Sequence, residues 1–350
     1  MIQIQSRYLL FVLVAVTTFI PIGIVCIARA TENTGASASV IELQKGISIV
    51  FAGIEQAKEH LTKKDDFIKN LSPFDRSARL MTDKSVSQAE FLEFVAEQVR
   101  PWTVDEKTNI TSLIESIIEK LKDFDLNLPP KILLIKTTGA EEGGAAYCRQ
   151  NAIILPQSML VRRNTGLEKI LIQELFHILS TNDSKIKEAL YEVINFRKCD
   201  DIELPEKIRE IKITNPDGIK NDHYVELQYK DDIINVVPII YSSVPKYDVA
   251  IGGEFFRYLK IGLLAVEKTG DKWRYMRDSD NEPVLLELRD APDYFNKIGY
   301  NTSYIFHPEE ILADNFALMV QGTEPVNSKW VIEKMREVFR EEAQKRHGTN

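Results

Sequence analysis

The feature that most constrains this chain is one apolar helix interrupted by three polar residues. The stretch from Leu171 to Leu179 is apolar except for Gln173, Glu174 and His177. Residues 173 and 177 are one helical turn apart and project from the same face, so both side chains can reach one ion. Glu174 lies further round the helix, where a carboxylate can accept a proton without binding that ion. Buried polar groups cost free energy without partners, so this helix is expected to meet other polar groups.

A later apolar helix carries a pair of acids that can serve as polar partners for the first helix. Glu310 and Asp314 are one turn apart and therefore share a face. Pro308 suits a first helical position, which predicts His307 as the cap of this helix. An alternative makes His307 a nitrogen ligand, since it precedes Glu310 by one turn. A shared metal requires the side-chain tips of His177 and Glu310 to lie within about 8 Å, because zinc bonds are only ~2 Å long.

These two segments resemble the gluzincin metallopeptidases, most specifically over Gln173 to Ser180 and Tyr304 to Phe316. The resemblance is to bacterial exported proteins of this type and extends over residues 130 to 340. It implies an α+β fold with a zincin-like mixed sheet and an active-site helix. It also implies zinc-dependent hydrolysis of peptide bonds in the cell envelope or outside the cell, with a peptide or protein as the substrate.

The resemblance also implies a role for each polar residue of the two helices. His177 and Glu310 would be metal ligands, and Glu174 would be the general base. Asp314 would not bind the metal itself but would accept a hydrogen bond from the first ligand and so orient it. Tyr304 precedes the glutamate ligand by a few residues, where some gluzincins place a tyrosine that steadies an oxyanion.

The sequence departs from the gluzincin pattern at Gln173, which stands where the first zinc-binding histidine is expected. An amide oxygen is a weaker zinc donor than an imidazole nitrogen. Asp314 can accept a hydrogen bond from the Gln173 amide nitrogen, which would turn the amide oxygen towards the ion. Zinc binding is then weakened or lost. Three functions stay open: a zinc peptidase, a catalytically degenerate zincin-fold binding protein, and an unrelated envelope protein.

The first thirty residues are typical of an export segment. Arg7 is followed by the nearly apolar run from Tyr8 to Ile27, and Ala28-Arg29-Ala30 has the small-x-small form of a cleavage site. The run is also long enough to cross a bilayer once. Residues 1–30 are therefore a signal peptide or an N-terminal anchor. The protein is expected to be periplasmic, secreted, or tethered by an N-terminal transmembrane helix.

Composition and the Pro129-Pro130 pair indicate the nature and the division of the rest of the chain. A net charge of −8 without a sustained Lys/Arg run argues against a nucleic-acid partner. Residues 31–129 are predicted to be a helical N-terminal region that starts with a tether over residues 31–48. Pro129-Pro130 then opens a zincin-like domain over residues 130–350. The predicted elements are capping boxes at Ser87/Glu90 and Thr103/Glu106, strands at 132–135 and 152–155, a helix from Leu167 to Ser180, and hairpins over 223–240 and 261–276.

Two smaller expectations concern cysteines and histidines. Cys148 and Cys199 can form one disulfide in an oxidising compartment or remain two buried thiols. His60, His223 and His347 lie in polar stretches and are expected to face solvent.

Overall fold

The computed structural model describes residues 40–160 and 165–348, which belong to one compact unit. These residues form helices, one mixed sheet and one antiparallel sheet, which confirms the predicted α+β class. The predicted signal peptide or anchor at residues 1–30 lies outside the described part of the chain. None of the helices within the described residues combines the length and apolarity needed to span a bilayer.

The first sheet has five strands and carries the core of the molecule. Its strands are β1 (Val40–Gln44), β2 (Ile47–Phe51), β3 (Lys131–Thr137), β4 (Tyr147–Arg149) and β5 (Ala152–Pro156). They lie in the order β1-β2-β3-β5-β4, with β2, β3 and β5 parallel and the two edge strands antiparallel to their neighbours. Strand β3 is apolar along most of its length because helices cover both faces of the sheet.

The predicted N-terminal helices are present, but they are not a separate region. They are α1 (Ile54–Leu61), α2 (Asp66–Asn70), α3 (Pro73–Arg79), α4 (Gln88–Gln98) and α5 (Val104–Leu121). Both predicted capping boxes are confirmed, at α4 and α5. The expected tether before residue 48 instead contributes β1 and the start of β2. Because β2 pairs in parallel with β3, the sheet continues across Pro129-Pro130 and this point divides no domains.

The remaining helices include the pair that positions the candidate site. They are α6 (Gln157–Leu160), α7 (Thr165–Asn182), α8 (Ser184–Val193), α9 (Glu206–Arg209), α10 (Asp293–Ile298), α11 (Pro308–Gln321) and α12 (Lys329–His347). Helices α7 and α11 pack against each other, with the rings of Phe176 and Phe316 5.5 Å apart between centroids. Gly322 ends α11 in the left-handed conformation that glycine readily adopts. The predicted helix from Leu167 to Ser180 and the predicted helix that begins at Pro308 are therefore both confirmed, as α7 and α11.

A second sheet is inserted in the chain between α8 and α11. Its strands are β6 (Phe196–Lys198), β7 (His223–Tyr229), β8 (Asp232–Ser242), β9 (Leu259–Thr269), β10 (Lys272–Tyr275) and β11 (Leu285–Leu286). The order is β10-β9-β8-β7-β6, β11 pairs with β9, and all pairs are antiparallel. The hairpins β7–β8 and β9–β10 confirm the two predicted ones.

Two of the three histidines expected in solvent are buried. His60 and His223 are 5% and 3% exposed. The ring of His60 bonds the carbonyl of Arg149, and the ring of His223 lies between Asp222 and Glu188. The prediction that these rings face solvent was wrong because each ring contacts a residue far away in the chain, Arg149 or Glu188. The local sequence does not reveal such contacts. The side chain of His347 lies outside the described residues.

Candidate metal centre

Helices α7 and α11 bring His177 and Glu310 together. The His177 Nε2 atom lies 3.9 Å from Glu310 Oε2, well within the distance that a shared ion requires. Both side chains are largely screened from solvent, with 4% and 16% exposed. The predicted convergence of the two motifs is therefore present in the structure.

Glu309 holds the other side of the His177 ring. Its Oε1 lies 3.2 Å from His177 Nδ1, and its Oε2 accepts hydrogen bonds from Ser180 (2.7 Å) and Tyr191 (2.5 Å). Burial alone would raise the pKa of Glu309, but the bond from His177, the charge of Lys187 and the bond from Tyr191 lower it to about 2. Glu309 is thus a carboxylate that orients the imidazole and leaves Nε2 facing Glu310. The sequence motif did not single it out.

Glu174 lies in the same buried region. It is 5% exposed, and its Oε2 accepts a hydrogen bond from the Cys148 thiol at 3.1 Å. Burial raises the pKa of Glu174 to about 7; the charge of His177 and the thiol oppose the shift, and the charge of Glu310 adds to it. A carboxyl group with a pKa near neutrality is suited to exchange protons at neutral pH.

Gln173 is engaged with Asp314, as the sequence predicted. The Gln173 amide nitrogen donates to Asp314 Oδ1 at 2.9 Å. Lys169, one turn earlier on α7, forms an ion pair with the same oxygen atom. Asp314 therefore ties α11 to two residues of α7, and one of the two polar groups of the Gln173 amide is occupied in this contact.

A loop of the inserted segment, residues 214–218, adds two residues that the sequence motifs did not reveal. We call it the acid loop. Asn215 Nδ2 donates to Glu310 Oε1 at 2.8 Å, and Asp217 Oδ1 accepts from the backbone N–H of Cys148 at 2.8 Å. Donor atoms of His177, Asp217 and Glu310 all lie within 4.8 Å of one another.

The donor set fits a divalent cation. Ligand atoms around one tetrahedral zinc lie roughly 3.3 Å apart, because each bond is about 2.0–2.1 Å long. The separations of up to 4.8 Å among His177, Asp217 and Glu310 would need to close by up to about 1.5 Å, which side-chain rotation can supply. A second group of donor atoms, from Cys148, Glu174 and Asp217, lies beside the first and shares Asp217 with it.

The electrostatics of the site also favour a cation. Although burial lowers the pKa of His177, the charges of Asp217 and Glu310 and the bond to Glu309 raise it well above its ordinary value. For the acids Asp217 and Glu310, burial has the opposite effect and raises the pKa. In the absence of metal, the imidazole is the positive group among these acids. A metal ion that binds Nε2 must displace that proton, so its affinity falls with decreasing pH.

His307 caps α11 and is not placed as a ligand. Its Nδ1 accepts from the Glu309 N–H at 3.1 Å, and its Nε2 donates to the Lys220 carbonyl at 3.3 Å. Both ring nitrogens are engaged, so the capping prediction is confirmed and the alternative ligand geometry is wrong. Burial lowers the pKa of His307 to about 4, which keeps the ring neutral and able to accept at Nδ1.

Tyr304 lies beside the acids at the edge of the site. Its side chain is half exposed and its ring contacts Phe306, with centroids 6.3 Å apart. Burial raises its pKa, and the charges of Asp314 and Glu310 raise it further. The phenol is therefore protonated at neutral pH and available as a donor. Its predicted role in steadying an oxyanion stays a prediction.

The two cysteines of the described chain are separate thiols. Cys148 is buried on the edge strand β4 beside Glu174, whereas Cys199 is partly buried and packs in a cluster on the second sheet. Both are free, which decides between the two open alternatives in favour of unpaired thiols. Burial raises the pKa of both thiols, so neither is a thiolate at neutral pH.

Comparisons of this chain with protein-family models, with curated proteins and with solved structures give no match.

Proposed function

We propose that this chain is a zinc-dependent metallopeptidase with a zincin-like fold, related to the gluzincins, that hydrolyses peptide bonds of a peptide or protein substrate. The observation that carries the proposal is the approach of His177 and Glu310 to each other beside the buried carboxyl group of Glu174. The two residues come from helices that are far apart in the chain. Two sequence motifs that resembled a metal site only by chance would not be expected to place their polar side chains in one buried cluster.

Each side chain of the cluster suits one part of the reaction. When bound, Zn²⁺ supplies a Lewis acid that polarises a carbonyl group and makes a water molecule more acidic. His177 and Glu310 would hold the ion, and Glu309 fixes the imidazole ring. Glu174 would accept a proton from water at its carboxylate and pass it to the leaving amine. Tyr304 would donate to the oxygen that becomes negative in the transition state.

The second candidate is a catalytically degenerate zincin-fold binding protein. It is favoured by the burial of Glu174 and His177, which are 5% and 3% exposed. A small cavity of about 10 Å³ lies beside the acid loop and is lined in part by Asn215, Gly218 and Phe306. That volume is far below the ~300–1,000 Å³ of typical ligand sites, so an extended peptide would require this region to open.

Hydrolysis of a fluorogenic peptide library distinguishes the two candidates. The peptidase proposal predicts turnover by the zinc-loaded protein, loss of turnover with a chelator, and its return when zinc is added back. The binding-protein proposal predicts that the same peptides bind without being cleaved. Binding without cleavage under all metal conditions would reject the peptidase.

We also propose that the protein acts in the cell envelope or outside the cell, either cleaved from its leader or retained by an N-terminal anchor. The support is the apolar run followed by Ala28-Arg29-Ala30. Determining the N-terminal residue of the protein recovered from each cell fraction tests this. A mature chain that begins at Thr31 indicates a cleaved signal, and an intact N-terminus in the membrane fraction indicates an anchor. An intact chain in the cytoplasm contradicts export.

A further inference from the structure

The side chain of Gln173 is committed to holding two helices together. Its amide nitrogen bonds Asp314 Oδ1, the same atom that pairs with Lys169. Its remaining oxygen is a neutral donor and binds zinc less strongly than an imidazole or a carboxylate. A site that relied on Gln173 would therefore have two strong ligands and one weak one.

Asp217 offers a stronger donor at the same cluster. Its carboxylate lies within 4.8 Å of donor atoms of both His177 and Glu310. It belongs to the inserted segment and not to either motif helix, so it approaches the two ligands independently of α7 and α11. Its carboxylate also accepts a hydrogen bond from the Cys148 N–H, which occupies one oxygen and orients the group.

The acid loop that carries Asp217 is anchored at its start. The backbone N–H and the hydroxyl of Thr214 donate to the Asp75 carboxylate, at 3.0 and 2.7 Å. Arg79 donates to the Thr214 carbonyl at 2.9 Å, and it is paired with Asp75 and with Glu142 in the interior. Asp75 and Arg79 are fully buried, so the loop begins from a rigid point in the core.

The acid loop is also fixed next to Asp217 itself. The Asp217 N–H donates to Asn215 Oδ1, and Asn215 bonds Glu310 through its amide nitrogen. Gly218 lies so close to the His307 ring that an added Cβ would overlap it. These contacts hold the backbone on both sides of Asp217, and the Cys148 N–H holds its carboxylate, which is the arrangement expected of a resident ligand.

The charges of the cluster call for a cation as well. Asp217 and Glu310 place two carboxyl groups beside the imidazole of His177, and the carboxyl group of Glu174 lies next to Asp217. Gathering carboxylates in a partly buried space is costly unless a positive charge compensates them. A divalent ion between His177, Asp217 and Glu310 supplies that charge.

We propose that Asp217 is the third protein ligand of the metal and replaces the ligand that Gln173 cannot supply. The site is then one imidazole and two carboxylates, drawn from α7, the acid loop and α11. This oxygen-rich set is harder than two imidazoles and one carboxylate, so it discriminates less strongly between Zn²⁺ and Mn²⁺. The inference rests on the proposed function, because it assumes that His177 and Glu310 bind a metal.

Calorimetric titration of the purified protein with Zn²⁺ tests the inference, using Asp217→Asn and Gln173→Ala as a matched pair. Asp217→Asn keeps the size of the side chain and an oxygen that can accept from Cys148. Removal of a direct ligand is expected to weaken zinc binding at least about tenfold. Gln173→Ala is expected to leave the dissociation constant within about threefold, and circular dichroism checks that each variant is folded.

The opposite ranking, with a large loss in Gln173→Ala and none in Asp217→Asn, overturns the inference and leaves the proposed metal site intact. Failure of the unaltered protein to bind zinc, or zinc binding that survives His177→Ala, instead refutes the metal site and with it the role of Asp217. The three results are therefore distinguishable from one another.

A crystal structure of the zinc-loaded, unaltered protein gives a second measurement that needs no variant. The inference predicts an Asp217 carboxylate oxygen at a zinc bond distance of about 2.0–2.2 Å. Zinc bound by the Gln173 amide oxygen, with Asp217 outside bonding distance, contradicts it. Titration with Mn²⁺ adds a readout of selectivity, since its affinity is expected to lie closer to that of Zn²⁺ than in a site with two histidines.

Discussion

The imidazole of His177 is held between carboxylates on both of its nitrogen atoms. Glu309 lies at Nδ1 and Glu310 at Nε2, and the two acids are adjacent in the chain. Adjacent helical residues point in different directions, so one acid can support the ring while the other faces the ion. The spacing of the motif predicted Glu310 and passed over Glu309. Periodicity alone does not show which of two neighbouring acids supports the histidine.

Replacing Glu174 with glutamine tests its role as the base. Glu174→Gln keeps the shape of the side chain but removes the group that accepts a proton. We expect hydrolysis to fall by about 10²–10⁴-fold while the zinc content is unchanged, because general-base catalysis has that magnitude. Peptide turnover and zinc content are measured on the same sample. Activity that survives the change rules out this role.

Restoring a histidine at position 173 tests whether this position borders the metal. Gln173→His adds an imidazole that can reach the ion on one side and donate to Asp314 on the other. Zinc affinity is expected to rise about tenfold or more, the size of effect that changes in metal coordination commonly have. Competition with a chromogenic chelator measures it. An unchanged affinity would show that position 173 does not face the ion.

Helix α11 depends on a neutral histidine at its first turn. His307 accepts from the Glu309 N–H, and burial holds its pKa at about 4. The folded protein therefore binds this proton less readily than the unfolded chain, whose histidine titrates near pH 6.5. The stability contributed by neutral His307 is full above pH 6.5 and is lost as the pH falls towards 4.

His307→Asn should remove this dependence on pH. Asparagine is also a good helix cap, but it does not titrate. Between pH 7 and pH 5 we expect the unaltered protein to lose about 2 kcal/mol more unfolding free energy than the variant, since each pKa unit corresponds to about 1.4 kcal/mol. Urea unfolding at both pH values measures the difference. Equal losses in the two proteins would refute the assignment, and unchanged zinc stoichiometry would confirm that His307 is not a ligand.

Much of the element pattern could be predicted from the sequence because the local signals are strong. The apolar pattern with Pro308 located the start of α11, and strand signals over residues 223–240 located the β7–β8 hairpin. Strands β1 and β2 were missed because the small polar residues just before them gave the appearance of a tether. Their strand structure depends on pairing with β3, far along the chain.

At the scale of the whole molecule, one buried ion network joins three distant segments. Arg79 on α3 pairs with Asp75 and with Glu142, which follows β3, and it also bonds Thr214 of the inserted segment. The N-terminal helices, the first sheet and the acid loop are thus linked in the interior. This explains why Asp217 escaped prediction: a loop without periodicity reaches the site through contacts that no local pattern encodes.

Removing Asp75 should disrupt both the core and the metal site. Asp75→Ala leaves Arg79 without one of its two acidic partners and removes the carboxylate that accepts from the Thr214 N–H and hydroxyl. A loss of about 3–5 kcal/mol in unfolding free energy is expected, because breaking a buried pair leaves an uncompensated charge. Zinc affinity should fall as well, since the acid loop loses part of its anchor.

The matched control is Asp66→Ala, which removes an exposed pair with Lys69. Exposed pairs contribute about 0–1 kcal/mol, so this variant should behave nearly like the unaltered protein. Urea unfolding and zinc titration are measured for both variants. Similar stability losses in the two would contradict the anchoring role of the network.

Metal stoichiometry of the purified protein tests the central claim most directly. After incubation with Zn²⁺ and removal of unbound ions, elemental analysis should find one zinc per chain in the unaltered protein. The His177→Ala and Glu310→Ala variants should contain almost none. A protein that retains no zinc, or variants that retain as much as the unaltered chain, would contradict a metal site between α7 and α11.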